Sequence, residues 1–238
     1  MSSTLEDARH GGLLAERCRQ VALDSTGYEN GHTSVYYGQR CGQRKRRFPK
    51  FTALCDTRSH LYVSGVMSEG PAADHLEFRE AVVTGFARIP FDELLADAGY
   101  DSEANHVLVR SQLVARSIIP PSIGRPTARP PTGDWRRRLA QRFPHRRYGQ
   151  RWQIESCFSQ DKRRFGSSIE GRDYGARCRK LYLRLVVHNL ALILRRFAGL
   201  LLQRLQSLHH PASFPQSILI PFSSGMVTFF LQLRSNDE

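Results

Sequence analysis

Two short apolar runs that each empty into an aspartate constrain the fold of this chain most. Gln20-Val-Ala-Leu-Asp24-Ser-Thr-Gly passes from strand formers into turn residues, and Leu94-Leu-Ala-Asp97-Ala-Gly repeats the pattern. Runs of this length and composition read as short buried strands, over about residues 19–25 and 93–98, each with its acid at the C-terminal end. For either aspartate alone, a turn-forming role is the plain alternative.

The intervening sequence supplies more strands and helices. Residues 51–56 and 60–67 read as a hairpin turning at Thr57-Arg-Ser59. Residues 72–87 follow as an amphipathic helix with Leu76, Val83 and Phe86 at helical spacing, and Ser102 is placed to cap a helix over 103–111. Residues 114–119 form a last short strand, stopped by Pro120 and Pro121. The order is β-β-β-α-β-α-β-α, an α/β fold in which helices flank a mixed sheet.

A third carboxylate sits in the segment Tyr148-Gly-Gln-Arg151-Trp-Gln-Ile-Glu155-Ser-Cys-Phe-Ser-Gln-Asp-Lys162. At about 100° of rotation per helical residue, Tyr148, Arg151, Glu155 and Lys162 fall within a stripe of roughly 60°. One carboxylate flanked by two cations and a phenol suits a metal-bound phosphate; the plain alternative is a solvated face with an i,i+4 ion pair. Ile154, Phe158 and Phe165 cluster to one side of the stripe, so this helix can pack on the sheet while its edge faces the acids. Two aspartates and a glutamate are hard oxygen ligands of the kind that Mg²⁺ or Mn²⁺ takes. Two such ions about 4 Å apart can assist both the attacking and the leaving oxygen of a phosphoryl transfer.

Three stretches, Ala22-Leu-Asp24-Ser-Thr-Gly, Ala96-Asp97-Ala-Gly-Tyr-Asp101-Ser and the Tyr-Arg-Glu-Lys segment, carry a family resemblance. In order, they resemble the catalytic domain of bacterial insertion-sequence transposases of the DDE type, closest to the IS-four/IS-five group, over about residues 18–200. The third matches that group's Y-x2-R-x3-E-x6-K spacing throughout. The resemblance implies an RNase H-like fold and a catalytic, metal-binding triad of Asp24, Asp97 and Glu155 holding two Mg²⁺ or Mn²⁺ ions. It further implies that Tyr148, Arg151 and Lys162 contact transposon-end DNA near the scissile phosphate. Water would attack at the transposon end, and the freed 3′-OH would then attack target DNA. Double-stranded DNA is the implied partner, a homodimer the implied state, and the cytoplasm, in association with the nucleoid, the implied location.

Charge agrees with a polyanionic partner. The 35 Lys and Arg exceed the 22 Asp and Glu, a net charge of +13. One basic block is Arg44-Lys45-Arg46-Arg47; a second runs from Arg125 to Arg164 and ends in Lys162, Arg163 and Arg164. Arginine predominates, which suits bidentate phosphate contacts. For residues 125–140, rich in proline, a solvated basic linker is the alternative.

At 238 residues, with 40% hydrophobic residues, the chain can build one sizeable domain. The expected divisions are a short N-terminal remnant over 1–17, the catalytic domain over 18–205 and an unassigned tail over 206–238. A full N-terminal DNA-binding domain is not expected. The step from Asp97 to Glu155 leaves no room for the large β-rich insertion found in some relatives. Five cysteines without a CxxC pair argue against zinc and for free thiols in a reducing cytosol. The apolar stretch Leu181–Leu205 is interrupted by Arg184, His188, Arg195, Arg196 and Arg204, so it is expected to be a long, mostly buried helix rather than a membrane span. Two other functions stay open: a catalytically idle, DNA-binding transposase remnant, and another RNase H-like nuclease.

Overall fold

A computed structural model describes residues 1–30, 48–121 and 131–208. The basic block Arg44–Arg47 lies outside them, as do Arg125 and Arg129. Clustering of contacts divides the chain into two units, Met1–Leu200 and Leu201–Glu238. The first contains the sheet and all but the last turns of the final helix.

The elements follow the expected order. Helix α1 (Ser2–His10) precedes β1 (Cys18–Gly27) and a two-residue β2 (Glu29–Asn30). Strands β3 (Phe48–Asp56) and β4 (Tyr62–Gly70) form the hairpin, turning through the expected residues. Next come α2 (Phe78–Arg88), β5 (Phe91–Ala96), α3 (Glu103–Val107) and β6 (Arg116–Ile118). Helices α4 (Asp134–Gln141), α5 (His145–Tyr148) and α6 (Trp152–Phe165) follow. A two-residue β7 (Ser168–Ile169) pairs with β2, and α7 (Tyr174–Leu208) ends the fold. The main sheet has the order β4-β3-β1-β5-β6. Its β1 is antiparallel to β3 and parallel to β5, and β5 is parallel to β6. This mixed five-stranded sheet flanked by helices is the α/β, RNase H-like arrangement expected from the sequence.

Alternation along β1 sorts its side chains between two cores. Val21 and Leu23 join Leu54, Phe78, Val82 and Leu94 on the α2 face. Ala22 joins Phe51, Tyr62, Leu95, Ile154 and Phe158 on the α6 face. Both faces of the central strands are covered, so they read as continuous apolar runs.

The face of α2 differs from expectation. Its buried residues are Phe78, Ala81, Val82 and Gly85, whereas Leu76 precedes the helix and is 64% exposed. Val83 is exposed and Phe86 only partly buried. The small residues win because α2 lies close against the sheet. A Cβ on Gly85 would stand 2.4 Å from the Leu54 side chain.

The last helix also differs. It is buried along one stripe, Leu181, Leu185, His188, Asn189 and Ile193, while Leu183, Leu190 and Leu194 are exposed. By length and apolarity Tyr174–Gln203 could cross a membrane, with 22% of its most apolar window buried. Polar contacts nevertheless tie it to the domain. Asn189 exchanges two hydrogen bonds with the backbone of Tyr62, at 2.9 Å each. Arg184 donates to the carbonyls of Phe165, Gly166 and Ser168, satisfying the C-terminal end of α6.

A buried polar knot fixes α6. Asp161 accepts from the Tyr62 hydroxyl at 2.8 Å and from His188 Nδ1 at 2.7 Å. His188 Nε2 donates to the carbonyl of His60 at 3.0 Å, so both ring nitrogens act as donors and the ring is an imidazolium. Burial alone would lower the pKa of His188, but the hydrogen bond and charge of Asp161 raise it to about 9. A raised histidine pKa contributes stability that is complete below its unfolded pKa of about 6.5 and is lost as pH rises through the folded value. Unfolding followed by urea should therefore show stability falling between pH 6.5 and 9.5, by on the order of 2–3 kcal/mol, and the fall should vanish in His188→Gln. Asp161→Asn leaves a buried cation unpaired and should cost about 3 kcal/mol, read as a lower urea midpoint with an unchanged slope.

Candidate active site

The parallel register of β1 and β5 brings the two aspartates together. Val21, Ala22 and Leu23 pair with Leu94, Leu95 and Ala96. One further step sets Asp97 beside Asp24, at a strand spacing of about 4.8 Å. Two boundaries differ from expectation. Strand β5 ends at Ala96, and Asp97, still extended, caps a short 3₁₀ turn by accepting from the Ala98 amide at 2.6 Å. Strand β1 continues three residues past Asp24, because Ser25, Thr26 and Gly27 remain paired with β3. Asp24 is therefore the last residue of β1 that has an acid-bearing neighbour on the β5 side.

Alternation puts Asp24 on the same face as Ala22, under α6. That helix approaches through Ile154, Cys157, Phe158 and Asp161, an i, i+3, i+4, i+7 stripe. Phe165, expected in the core, is only half-buried. Glu155 projects beside the stripe. The expected single helix from Tyr148 to Lys162 is instead α5, a 3₁₀ turn (Gly149–Arg151) and α6. A 3₁₀ turn advances about 120° per residue, which turns Tyr148 away from the stripe. The Tyr148 ring packs edge-on against Phe143 at 5.1 Å, with the Arg151 guanidinium 5.9 Å from its centre.

Arg151 bridges two of the three acids. It donates to Asp24 Oδ2 at 3.1 Å and to Glu155 Oε1 at 2.6 Å. Asp24 Oδ1 accepts from the Ser25 amide at 2.8 Å. Behind it, the Ser25 hydroxyl lies 2.7 Å from that of Thr52 and 2.5 Å from that of Tyr100. Burial pushes the Asp24 carboxyl above the usual carboxylate range. The Ser25 amide and Arg151 oppose the shift, while the charges of Asp97 and Glu155 reinforce it.

Lys162 stands apart from the bridge. It donates to Thr26 Oγ1 at 2.7 Å and lies 5.2 Å from the Tyr28 ring. With Glu155, Ser159 and Arg163 it lines an open pocket of about 450 Å³. Arg164 is exposed on the same helix.

The donor set suits a hard divalent cation: three carboxylates, one of them held buried against the charge of the other two. The expected two-ion site is not preassembled, however. Among the described residues no three His, Cys, Asp or Glu side chains converge as a metal-binding group. Arg151 lies between Asp24 and Glu155 and bonds both.

Several residues that position this site carry no obvious mark in the sequence. Asp161, unremarked within the Tyr-Arg-Glu-Lys segment, anchors α6 through Tyr62 and His188. Glu93 accepts from Arg116, Arg147 and Gln20, at 2.8, 2.7 and 3.1 Å, and so draws the segment before α6 to β5. Glu103 receives the amides of Trp135 and Arg136, at 3.1 and 3.2 Å, and caps α4 from another helix. Their sequence neighbours, such as Gln160 and Lys162 on either side of Asp161, do not set them apart from ordinary surface acids.

The mixed five-stranded sheet flanked by helices is consistent with an RNase H-like DDE domain. The family model of the transposase DDE domain matches residues 18–190, and the chain belongs to that family. Domains of this family generally use divalent metal ions and act on DNA. No curated protein and no solved structure matches the chain.

The electrostatics of Asp24 give a stability test. A raised carboxylate pKa means that the ionised form costs stability once pH exceeds the unfolded value of about 3.9. In metal-free buffer at pH 7, Asp24→Asn should therefore raise the melting temperature by a few degrees, about 1 kcal/mol. The gain should disappear below about pH 4, where wild-type Asp24 is protonated in both states.

Proposed function

We propose that this chain is the catalytic domain of an IS-four/IS-five-like transposase, which cuts DNA at transposon ends and joins them to target DNA. The observation that best supports the reading is the approach of Asp24, Asp97 and Glu155 on the α6 side of the sheet, with Arg151 spanning two of them. Asp24, Asp97 and Glu155 would hold two Mg²⁺ or Mn²⁺ ions. Bound there, the cations supply Lewis-acid stabilisation of the charge that develops on phosphate oxygens.

The protein's own groups do the rest. In the first reaction a water oxygen bonds to phosphorus, the bond to the 3′-oxygen breaks, and that oxygen leaves as the 3′-OH. In the second, the oxygen of that 3′-OH bonds to the phosphorus of a target phosphodiester, the bond from that phosphorus to the target's own 3′-oxygen breaks, and a target 3′-OH leaves as one phosphodiester replaces another. Arg151 is placed to exchange its carboxylate partners for a phosphate, and its planar fork suits that ligand. Tyr148, held against Phe143, would seat the strand end. Lys162 and Arg163, on the pocket beside Glu155, would carry neighbouring phosphates, and Arg164 would add charge along the same helix. Transposition on paired ends favours a homodimer acting at the nucleoid in the cytoplasm, with no role for a membrane. The Tyr-Arg-Glu-Lys spacing supports assignment to this group.

A supercoiled plasmid carrying the gene with its native flanking DNA tests the reading. Wild-type protein should cut at the flanking repeats only when Mg²⁺ or Mn²⁺ is present. Glu155→Gln should lower cutting by at least about 10³-fold while retaining DNA affinity. Equal cutting by the variant would remove Glu155 from the triad, and binding without cutting by the wild type would favour an idle remnant.

A further inference from the structure

A second concavity lies outside the carboxylate site, at the sheet edge where β1 and β5 begin and β3 ends. It has a volume of about 1080 Å³ and is lined by Arg17, Arg19, Arg58, Arg146 and Arg147 against only two acids, Asp56 and Glu93. Both acids are already engaged. Asp56 accepts from the Ser59 amide and hydroxyl at 2.8 and 2.6 Å. Glu93 accepts from Arg116, Arg147 and Gln20. Arg17 is paired with Asp92, on the rim. That leaves Arg19, Arg58 and Arg146, which are exposed and make no ion pair or hydrogen bond among the described residues.

Three unpaired guanidinium groups around one cleft repel one another unless an anion lies among them. At about 1080 Å³ the cleft is larger than a single phosphate needs. Its position supplies the rest of the argument. Gln20, in the cleft wall, shares its face of β1 with Asp24 and lies four residues before it, a span of about 13 Å. The 3₁₀ turn joins the two places. Arg147 and Gln150 face the cleft, and Arg151, one position after Gln150, bonds two of the acids. At about 3.4 Å of rise per nucleotide, 13 Å corresponds to roughly four nucleotides.

We infer that this cleft holds the phosphodiester backbone of the DNA that reaches the carboxylates, about four nucleotides from the reacting phosphate. The inference rests on the reading of DNA as the partner and adds a site to it. Arg19 and Arg58 are its principal contacts, Arg146 the third, and Arg147 is held in place by Glu93.

The test uses the full chain carrying Glu155→Gln, in EDTA, so that binding is read without cutting. Binding of a 40-base-pair duplex taken from the gene's flanking DNA is measured by fluorescence anisotropy between 50 and 250 mM KCl. Arg19→Gln with Arg58→Gln should weaken binding about tenfold or more and lower the slope of log K against log salt by about 2. Arg19→Lys with Arg58→Lys should restore most of that slope. Arg79→Gln, which removes one exposed charge from α2, should leave it unchanged. A double Gln variant that loses no more slope than Arg79→Gln overturns the inference while leaving DNA as the partner. Failure of the parent protein to bind the duplex overturns both. Inorganic pyrophosphate, titrated calorimetrically, separates a small-anion pocket from a backbone groove. Tight pyrophosphate binding that is lost in the double variant, with duplex binding unaffected, would also overturn it.

Discussion

The position of α6 on the sheet hangs on one buried carboxylate. Asp161 has two oxygens and two buried donors, the Tyr62 hydroxyl from the hairpin and the His188 imidazolium from α7. A buried ion pair is poor evidence of net stability, because desolvation offsets much of the attraction. It is good evidence of position, since any slide of α6 along the sheet leaves a charge unpaired in an apolar surround. Tyr62 also stacks with Phe158 and meets His188 at 4.6 Å between ring centres. The helix is thus held by directional bonds at its C-terminal half and by apolar packing through Ile154, Cys157 and Phe158. Glu155, one turn and a half before Asp161, inherits its position from both.

Against that fixed helix, the sheet presents acids that repel one another. Parallel pairing of β1 with β5 runs to Leu23 and Ala96, the residues just before Asp24 and Asp97, and partial burial raises the Asp24 carboxyl above the usual range. Arg151 relieves part of the cost by bonding Asp24 and Glu155 at once. The Asp24 carboxyl stays raised chiefly because it is desolvated, with smaller contributions from the charges of Asp97 and Glu155. On the proposed reading, a cation held among these carboxylates would offset part of that charge.

Much of this fold was legible in the sequence, and the reasons differ from element to element. The strands bearing the acids and the hairpin were readable because buried strands have a composition and a length that few other elements share. Ser102 was readable as a cap because its role is local, and it accepts from the Asn105 amide at 3.1 Å. The face of α2 was misread because large apolar residues drew attention, whereas close packing favoured Ala81 and Gly85. The last helix was expected to be mostly buried because its composition is apolar all round; only the contacts with β4 and α6 reveal that one stripe carries the packing. At the site, residue types and order pointed to Asp24, Asp97 and Glu155, and Arg151 is found bonded to the first and the last of them. Nothing local could reveal that a 3₁₀ turn interrupts the helix before Trp152, or that Arg151 reaches across to another element.

Composition gives a net charge, but the fold decides which charges a ligand can meet. In the run from residue 125 to 164, Arg136 bonds Asp101 through two nitrogens, at 2.9 and 2.7 Å, and is spent on structure. Arg138 lies 5.0 Å from the centre of the Trp135 ring, and Arg110 faces the same ring at 4.4 Å. Arg137 pairs with Asp134 in its own helix, and Arg147 with Glu93. Arg142 and Arg146, by contrast, are exposed. A uniform basic tail would offer all of these to solvent and bind any polyanion loosely. Here several are consumed in holding α4 and the segment before α6, while Arg146 is left lining the cleft at the start of β1. On the proposed reading, arginines used as internal ties are part of the reason that the others would act as directed phosphate contacts.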